Sequence, residues 1–242
     1  LNETLDGRNL IMTIALVVLT YNEADGLSHY LPLLSDGCHK YGVDRIFAVD
    51  GGSTDGSLEL FQEYNLPYII QEIKGRGEAF KLAFEKSDED ALIFFSPDGN
   101  ENIDDVGKFR GLLAQGADLV IASRMMRGAH NEEDDQVLRW RKWANQAFGL
   151  AANLFFRRQG PYITDTINGF RAITRQAWQC LDVSASDYCI EYQSTIRAFK
   201  RRLQIAEFPT CEGQRLGGES YAKSIPTGIK FLKLLWQEII AK

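Results

Sequence analysis

The chain lacks any run of about 18 consecutive apolar residues, the length a membrane-crossing helix needs, so no integral span is expected in it. Attachment to a membrane surface stays open. Basic residues are not in surplus: 27 Lys and Arg face 33 Asp and Glu, a net charge of −6. A general nucleic-acid binder normally carries a basic face, so no nucleic-acid partner is expected. Cysteine is scarce. Cys38, Cys180, Cys189 and Cys211 show no CxxC pairing or metal-ligand spacing and read as reduced thiols, which points to a cytoplasmic location. His29, His39 and His130 form no zinc motif. The opening stretch, Leu1 to Asn9, is polar and has no signal-peptide pattern. No internal repeat, low-complexity tract or flexible linker divides the chain, and one continuous domain over 1–242 is expected.

What is present is a core and an alternation. Apolar residues make up 45% of the chain, ordinary for a globular protein. Ile14–Thr20, Arg45–Asp50, Pro67–Gln71, Ala91–Phe95 and Asp118–Ala122 read as strands. Helical spacing fills the gaps: Ala24–Tyr41, broken or kinked at Pro32; a helix capped by Ser53 or Thr54 and running to about Tyr64; Gly77–Lys86; and Ile103–Gln115. Strands alternating with helices imply parallel β-α units and right-handed crossovers. The second half differs. Gln136–Arg158 and Lys223–Ile240 are amphipathic helical patterns, and Tyr188–Lys200 a further helix. Gly169–Thr174 and Leu203–Phe208 read as strands.

Two strand ends carry the chemistry. Ala48-Val49-Asp50-Gly51-Gly52-Ser53 and Phe94-Phe95-Ser96-Pro97-Asp98-Gly99-Asn100 each run apolar, then acidic, then into turn residues. Open α/β sheets bind ligands outside the carboxyl ends of their strands, and two carboxylates on one edge suit a nucleotide and its metal. Asp50 can accept hydrogen bonds from a base or ribose, and Gly51 lets backbone approach a ligand. Thr20-Tyr21-Asn22-Glu23 offers donors and acceptors at the same edge, or simply turns strand into helix. Lys74-Gly75-Arg76-Gly77 before a helix suits an anion such as diphosphate, or a plain cap. Ser96, Asp98 and Asn100 offer oxygens at alternate positions, which hard cations such as Mg²⁺ or Mn²⁺ prefer. With one carboxylate among the three, metal binding without a diphosphate should be weak. Arg124 suits a phosphate. Asp165 is a helix or turn cap, or a catalytic base. Arg215, Gly217, Gly218 and Lys223 read as a basic loop.

In order, VVLTYNE, AVDGGSTDGS, KGRGEA, SPDGN, ASR, DTINGFRA and EFPTCEGQR…GES resemble the family 2 glycosyltransferases of GT-A fold, nearest the polyprenyl-phosphate branch. The resemblance implies a Rossmann-like, mostly parallel sheet flanked by helices. It implies a nucleotide-sugar half over about 10–125 and an acceptor-side half over 126–242. It implies transfer of a sugar, with inversion, from a UDP- or GDP-sugar to a polyprenyl phosphate, with Mg²⁺ or Mn²⁺ as cofactor. The alternatives are a soluble glycan acceptor, or a catalytically weak nucleotide-sugar binder. By position, Thr20, Asn22, Glu23, Asp50, Gly51, Gly75, Arg76, Asp98 and Lys223 would hold the donor. Ser96, Asp98 and Asn100 would hold the metal. Arg124 and Arg215 would meet phosphates, and Asp165 would lie near the reacting centre. Gly51 and Ser96 stand where the family usually has acids, and Asn168 where Ser is commoner. Aromatic and basic residues on the Gln136–Arg158 and closing helices suit peripheral contact with the inner face of an anionic membrane.

Overall fold

The computed structural model describes residues 12–35, 37–217 and 224–241. The strands are β1 (Ile14–Thr20), β2 (Arg45–Asp50), β3 (Tyr68–Ile70), β4 (Ala91–Phe95), β5 (Leu119–Ser123), β6 (Arg171–Thr174) and β7 (Ile205–Pro209). They form one seven-stranded sheet in the order β3-β2-β1-β4-β6-β5-β7, so both halves of the chain contribute to it. Every residue of β1 is buried, as is every residue of β4 and β5. Helices cover both faces, which is why these strands read as continuous apolar runs. Along β1 the two faces still alternate: Ala15, Val17 and Leu19 join one core cluster, Ile14, Leu16 and Val18 the other.

The helices are α1 (Ala24–Leu34), α2 (Gly37–Tyr41), α3 (Ser57–Glu63), α4 (Arg76–Glu85), α5 (Val106–Ala114), α6 (Trp140–Phe156), α7 (Arg175–Leu181), α8 (Ile190–Lys200) and α9 (Ser224–Ile240). Several expectations change. Pro32 lies inside α1, and the helix ends after Leu34. Ser53 and Thr54 do not cap α3. Gly56, in the left-handed region at φ 101°, holds that position, because Ser53 is bound to Asp50 instead. A 3-10 turn at Ile103–Asp105 precedes α5. Helix α6 begins at Trp140, four residues later than its pattern suggested. Helix α7 was not expected. The Thr174 side chain caps it by accepting from Ala177 N at 3.2 Å.

The sheet is mostly parallel, as the resemblance implies, with one strand reversed. β1 pairs in parallel with β2 and β4, and β5 with β7, but β6 is antiparallel to both β4 and β5. After α6 the chain climbs back to the carboxyl edge of the sheet, where Thr164 N and Asp165 N donate to the Glu207 carboxylate at 2.7 and 2.8 Å. β6 therefore starts at the edge where its neighbours end, which a parallel strand cannot do. The turn before it, at 165–169, is thereby set among the strand-end residues of the first half.

Candidate active site

Two cavities adjoin along the carboxyl edge of the sheet. The first, about 350 Å³, is walled by Thr20, Tyr21, Glu23, Gly51, Lys74 and Gly75. The second, about 290 Å³, is walled by Asn100, Glu101, Arg124, Trp140, Phe148 and Phe231 among others. Arg76, Ser96, Asp98 and Tyr188 belong to both walls. A ligand in either cavity thus reaches the same strand end.

Asp50 does a different job from the one expected of it. Its side chain is fully buried and its lone pairs are spent within the protein. Oδ1 accepts from Gly52 N at 2.8 Å and Ser53 N at 2.7 Å. Oδ2 accepts from Thr20 Oγ1 at 2.9 Å and Ser53 Oγ at 2.6 Å. With both oxygens filled, Asp50 fixes the β2 turn and does not face a base directly. Thr20 is the other half of that lock. Asn22 also ties turns together: its backbone N donates to Ser53 Oγ at 2.8 Å, and its Oδ1 accepts from Thr54 N at 2.9 Å. Gly51 keeps the cavity open, since a Cβ there would lie 3.1 Å from the Tyr21 ring. Glu23 faces the first cavity and pairs with Arg215. Burial pushes its carboxyl up to about 7, against the pull of Arg215.

The Lys74–Gly77 loop packs against backbone. Gly77 N and Glu78 N, the free donors at the start of α4, both point at Ser186 O, at 3.0 and 3.3 Å. A Cβ on Gly75 would sit 2.3 Å from that oxygen, and one on Gly77 2.2 Å from Ala185 O. The glycines therefore admit a neighbouring backbone, and these donors are not free for an anion. Arg76 turns inward. It pairs with Glu191 and donates from Nη1 to Ser96 Oγ at 3.1 Å. Burial works against its charge, but Glu191 and Glu101 outweigh that and hold the guanidinium above its ordinary range. Lys74 was not singled out on its own, yet its Nζ lies 4.7 Å from the Tyr21 ring centroid on the wall of the first cavity.

The Ser96–Asn100 turn is different in kind. Asp98 Oδ1 accepts from Asn100 N at 3.1 Å and Oδ2 from Arg215 Nη1 at 3.1 Å. Asn100 Oδ1 is buried and has no hydrogen-bond partner among the described residues. A buried carbonyl oxygen left without a donor costs free energy unless a cation or water meets it. Oxygen donors from Asp98 and Asn100, with one orphaned, fit a hard divalent cation. Glu101, which the sequence did not single out, closes the group: its Oε2 accepts from Ser96 N at 2.7 Å. Burial and the nearby Asp98 push its carboxyl up to about 8.

Asp165 lies under the second cavity and not in its wall. Its oxygens are held by Arg124, with Nε to Oδ2 at 2.7 Å and Nη2 to Oδ1 at 3.0 Å. Burial alone would raise its pKa, but Arg124 overrides that and holds the carboxyl below its usual value. Arg124 reaches Glu212 as well, at 3.2 Å. Its guanidinium forms part of the second cavity wall while its charge is balanced from behind. Glu191 carried no signal in the sequence, and Glu212 and the fully buried Arg171 fall inside the EFPTCEGQR and DTINGFRA motifs without a role assigned to them there. Arg171 donates to Asn168 O at 2.7 Å, Glu191 O at 2.8 Å and Ser194 Oγ at 2.9 Å, stapling the 165–169 turn to α8. Burial brings its guanidinium down to about 10. Lys223 and Gly218 lie outside the described residues.

Residues 15–181 match the model of the family described as Glycosyl transferase family 2. The chain belongs to that family. Among curated relatives of this family 2 chain, glycosyltransferase AglJ of Haloferax volcanii is 26% identical over 204 residues, which is 81% of this chain and 62% of the relative. Polyprenol monophosphomannose synthase of Mycolicibacterium smegmatis is 27% identical over 218 residues, 84% of this chain and 78% of the relative. Dolichyl-phosphate hexose transferase of Haloferax volcanii is 25% identical over 231 residues, 93% and 95% of the two chains. The chain thus spans less than two thirds of the AglJ relative. A solved structure of glucosyl-3-phosphoglycerate synthase from Mycobacterium tuberculosis, in complex with Mn²⁺, UDP and phosphoglyceric acid, superposes with a TM-score of 0.71. It is 18% identical, and the match covers 96% of this chain and 80% of that one. The fold of this family 2 chain is the GT-A arrangement of the glycosyltransferases. The glycines and buried acids that first suggest a nucleotide site are here largely its scaffold.

Proposed function

We propose that this chain moves a sugar from a UDP- or GDP-sugar in the first cavity to a polyprenyl phosphate in the second, with inversion and with Mg²⁺ or Mn²⁺. The observation that carries this reading is the shared wall: Asp98, Ser96 and Arg76 border both cavities, so a donor diphosphate and an acceptor would meet there. Relatives named for polyprenol and dolichyl phosphate support the acceptor, and the Mn²⁺- and UDP-bound structural neighbour supports the donor and the cation. Asp98 and Asn100 would hold the cation, whose Lewis acidity stabilises the departing diphosphate. Lys74 lies free of ion pairs among the described residues and is suited to a phosphate in the first cavity. Arg215 bridges Glu23 and Asp98, and would turn one of those contacts toward the diphosphate.

The state of Asp165 favours a phosphate over a sugar hydroxyl as nucleophile. A hydroxyl needs a general base. Asp165 is bound through both oxygens and depressed in pKa, which makes it a weak one. A phosphate monoester, with a second pKa of about 6, is already largely dianionic at neutral pH and needs no base. The test is sugar transfer from a panel of UDP- and GDP-sugars to a short polyprenyl phosphate or a soluble glycan, with and without Mn²⁺. Transfer to the glycan alone would overturn the lipid acceptor. Binding of the donor with no transfer to either would leave a binding protein.

A lipid acceptor has to be met at a membrane. On α6 the residues Trp143, Leu150 and Leu154 are 54%, 57% and 70% exposed, and on α9 Ile229, Leu232 and Trp236 are 63%, 59% and 64% exposed. Both helices bury their other faces through Phe156, Phe231 and Leu234, so each is apolar on two sides. No helix among the described residues is long and apolar enough to cross a bilayer. The basic start of α6 is largely neutralised: Arg139 and Lys142 pair with Asp134, and Arg141 pairs with Glu133. Binding to anionic vesicles should therefore rest on apolar insertion more than on charge, and survive salt better than the sequence suggests. Co-sedimentation at low and high salt checks this, and an absence of binding at low salt speaks for a soluble acceptor.

A further inference from the structure

Ser96 leaves the strand end one carboxylate short of the pair the family usually carries, and the structure brings another acid to it. Glu101 lies just past the turn and folds back, so that its Oε2 accepts from Ser96 N at 2.7 Å. It shares the second cavity wall with Ser96, Asp98 and Asn100. Its other oxygen, Oε1, accepts no hydrogen bond, and the carboxylate makes no ion pair, among the described residues. The nearest guanidinium in role, Arg76, is committed elsewhere: it pairs with Glu191 and donates to Ser96 Oγ at 3.1 Å. Arg76 can lie there because residue 169 is glycine, since a Cβ at that position would stand 2.0 Å from Arg76 Nη2. Asn100 Oδ1, which belongs to the same turn, has no hydrogen-bond partner among the described residues and is a second oxygen open to a cation. Glu191, Asp165, Glu212, Glu23 and Asp98 each make an ion pair with Arg76, Arg124 or Arg215, whereas Glu101 makes none among the described residues.

We infer that Glu101, through Oε1, supplies the second carboxylate of the divalent-cation site, replacing in space the acid that Ser96 lacks in sequence. The inference rests on the cation-dependent donor site proposed above. Adding a second hard anionic oxygen to Asp98 and the Asn100 carbonyl gives the donor set that Mg²⁺ and Mn²⁺ prefer. Glu101 also keeps the Ser96 backbone in place, and the two roles separate in an isosteric variant: Glu101→Gln retains an oxygen for Ser96 N and loses the charge.

The experiment is Mn²⁺ titration of the whole chain, followed by the electron paramagnetic resonance signal of free Mn²⁺, with and without UDP. Wild type, Glu101→Gln, and Glu101→Gln combined with Ser96→Asp are compared. A metal-free thermal melt reports the fold of each. Glu101→Gln should weaken Mn²⁺ at least tenfold with its metal-free melt unchanged, and Ser96→Asp should restore most of that loss by returning a carboxylate to the strand end. Affinity within twofold of wild type in Glu101→Gln overturns this inference alone, as does a loss that Ser96→Asp does not recover. A wild-type chain that takes up no Mn²⁺, with or without UDP, overturns the cation site and this inference together.

Discussion

The ends of β2 and β4 look alike in sequence and differ in what they have left to give. Both deliver an aspartate from a buried apolar strand into a glycine-containing turn. Asp50 is fully buried and accepts four hydrogen bonds from its own turn and from Thr20. Asp98 is partly exposed, holds Arg215 and Asn100 N, and sits beside a carbonyl oxygen that has no hydrogen-bond partner among the described residues. The first aspartate stabilises a turn, and the second is available to a ligand. Motif position alone does not tell them apart, because both satisfy the same pattern. The count of unspent lone pairs does, since a carboxylate whose acceptor sites are filled by the backbone has little to offer a substrate.

Asp50→Ala should show the largest effect. It strands Thr20 Oγ1, Ser53 Oγ and two backbone N–H groups in a buried place, and each unsatisfied group costs about 1–3 kcal/mol before relaxation. A loss of about 3 kcal/mol or more in urea denaturation is expected, with nucleotide binding falling because the turn collapses. Asp50→Asn, which keeps half the acceptors, should lie between. A stable Asp50→Ala chain that loses donor binding alone would make Asp50 a ligand after all and erase the comparison. Asp98→Ala should do the reverse. Its unfolding free energy in urea should fall by about 1 kcal/mol or less, because it gives up only a part-exposed ion pair with Arg215. Divalent-dependent binding of UDP or GDP should fall about tenfold to a hundredfold by calorimetry, and unchanged affinity would remove Asp98 from the cation site.

The same comparison explains what was legible beforehand. Strands β1, β2 and β4 announce themselves because burial on both faces writes unbroken apolar runs. The direction of β6 is not written in its four residues. It follows from where the chain stands when the strand begins, and Glu207, from β7, holds it there. In the site, Asp98 and Asn100 lie in a turn whose spacing is visible. Glu101 and Glu191 arrive from a turn and a helix, where an isolated acid has no local signature, and the motifs that contain Arg171 and Glu212 do not show what those two side chains bind. Gly75 and Gly77 mislead for the opposite reason: close approach of backbone leaves the same sequence trace whether the neighbour is a phosphate or Ser186.

The smallest effect sharpens the contrast between acids with and without compensation, and its sign can be read from pH. In the seam between α8 and α9, burial of Glu238 would raise its pKa, but Lys200, Arg197 and Gln193 outweigh it and hold the carboxyl below its ordinary 4.5. A depressed carboxylate contributes stability that is fully present above the unfolded pKa and is lost as pH falls through the folded one. Glu238→Gln should thus be less stable than wild type at pH 7 and pH 5, by about 1 kcal/mol or less after solvent screening, and the gap should close toward pH 3. Glu23, at the first cavity, is shifted the other way, to about 7, because burial outweighs Arg215. The folded state takes up a proton there, so wild-type stability should drain away between pH 4.5 and pH 7, and Glu23→Gln should gain on wild type across that interval. Urea midpoints of the three chains from pH 3 to pH 8 check both signs. Parallel curves for the two variants would mean that the burial of Glu23 is as well compensated as that of Glu238 in the helix seam.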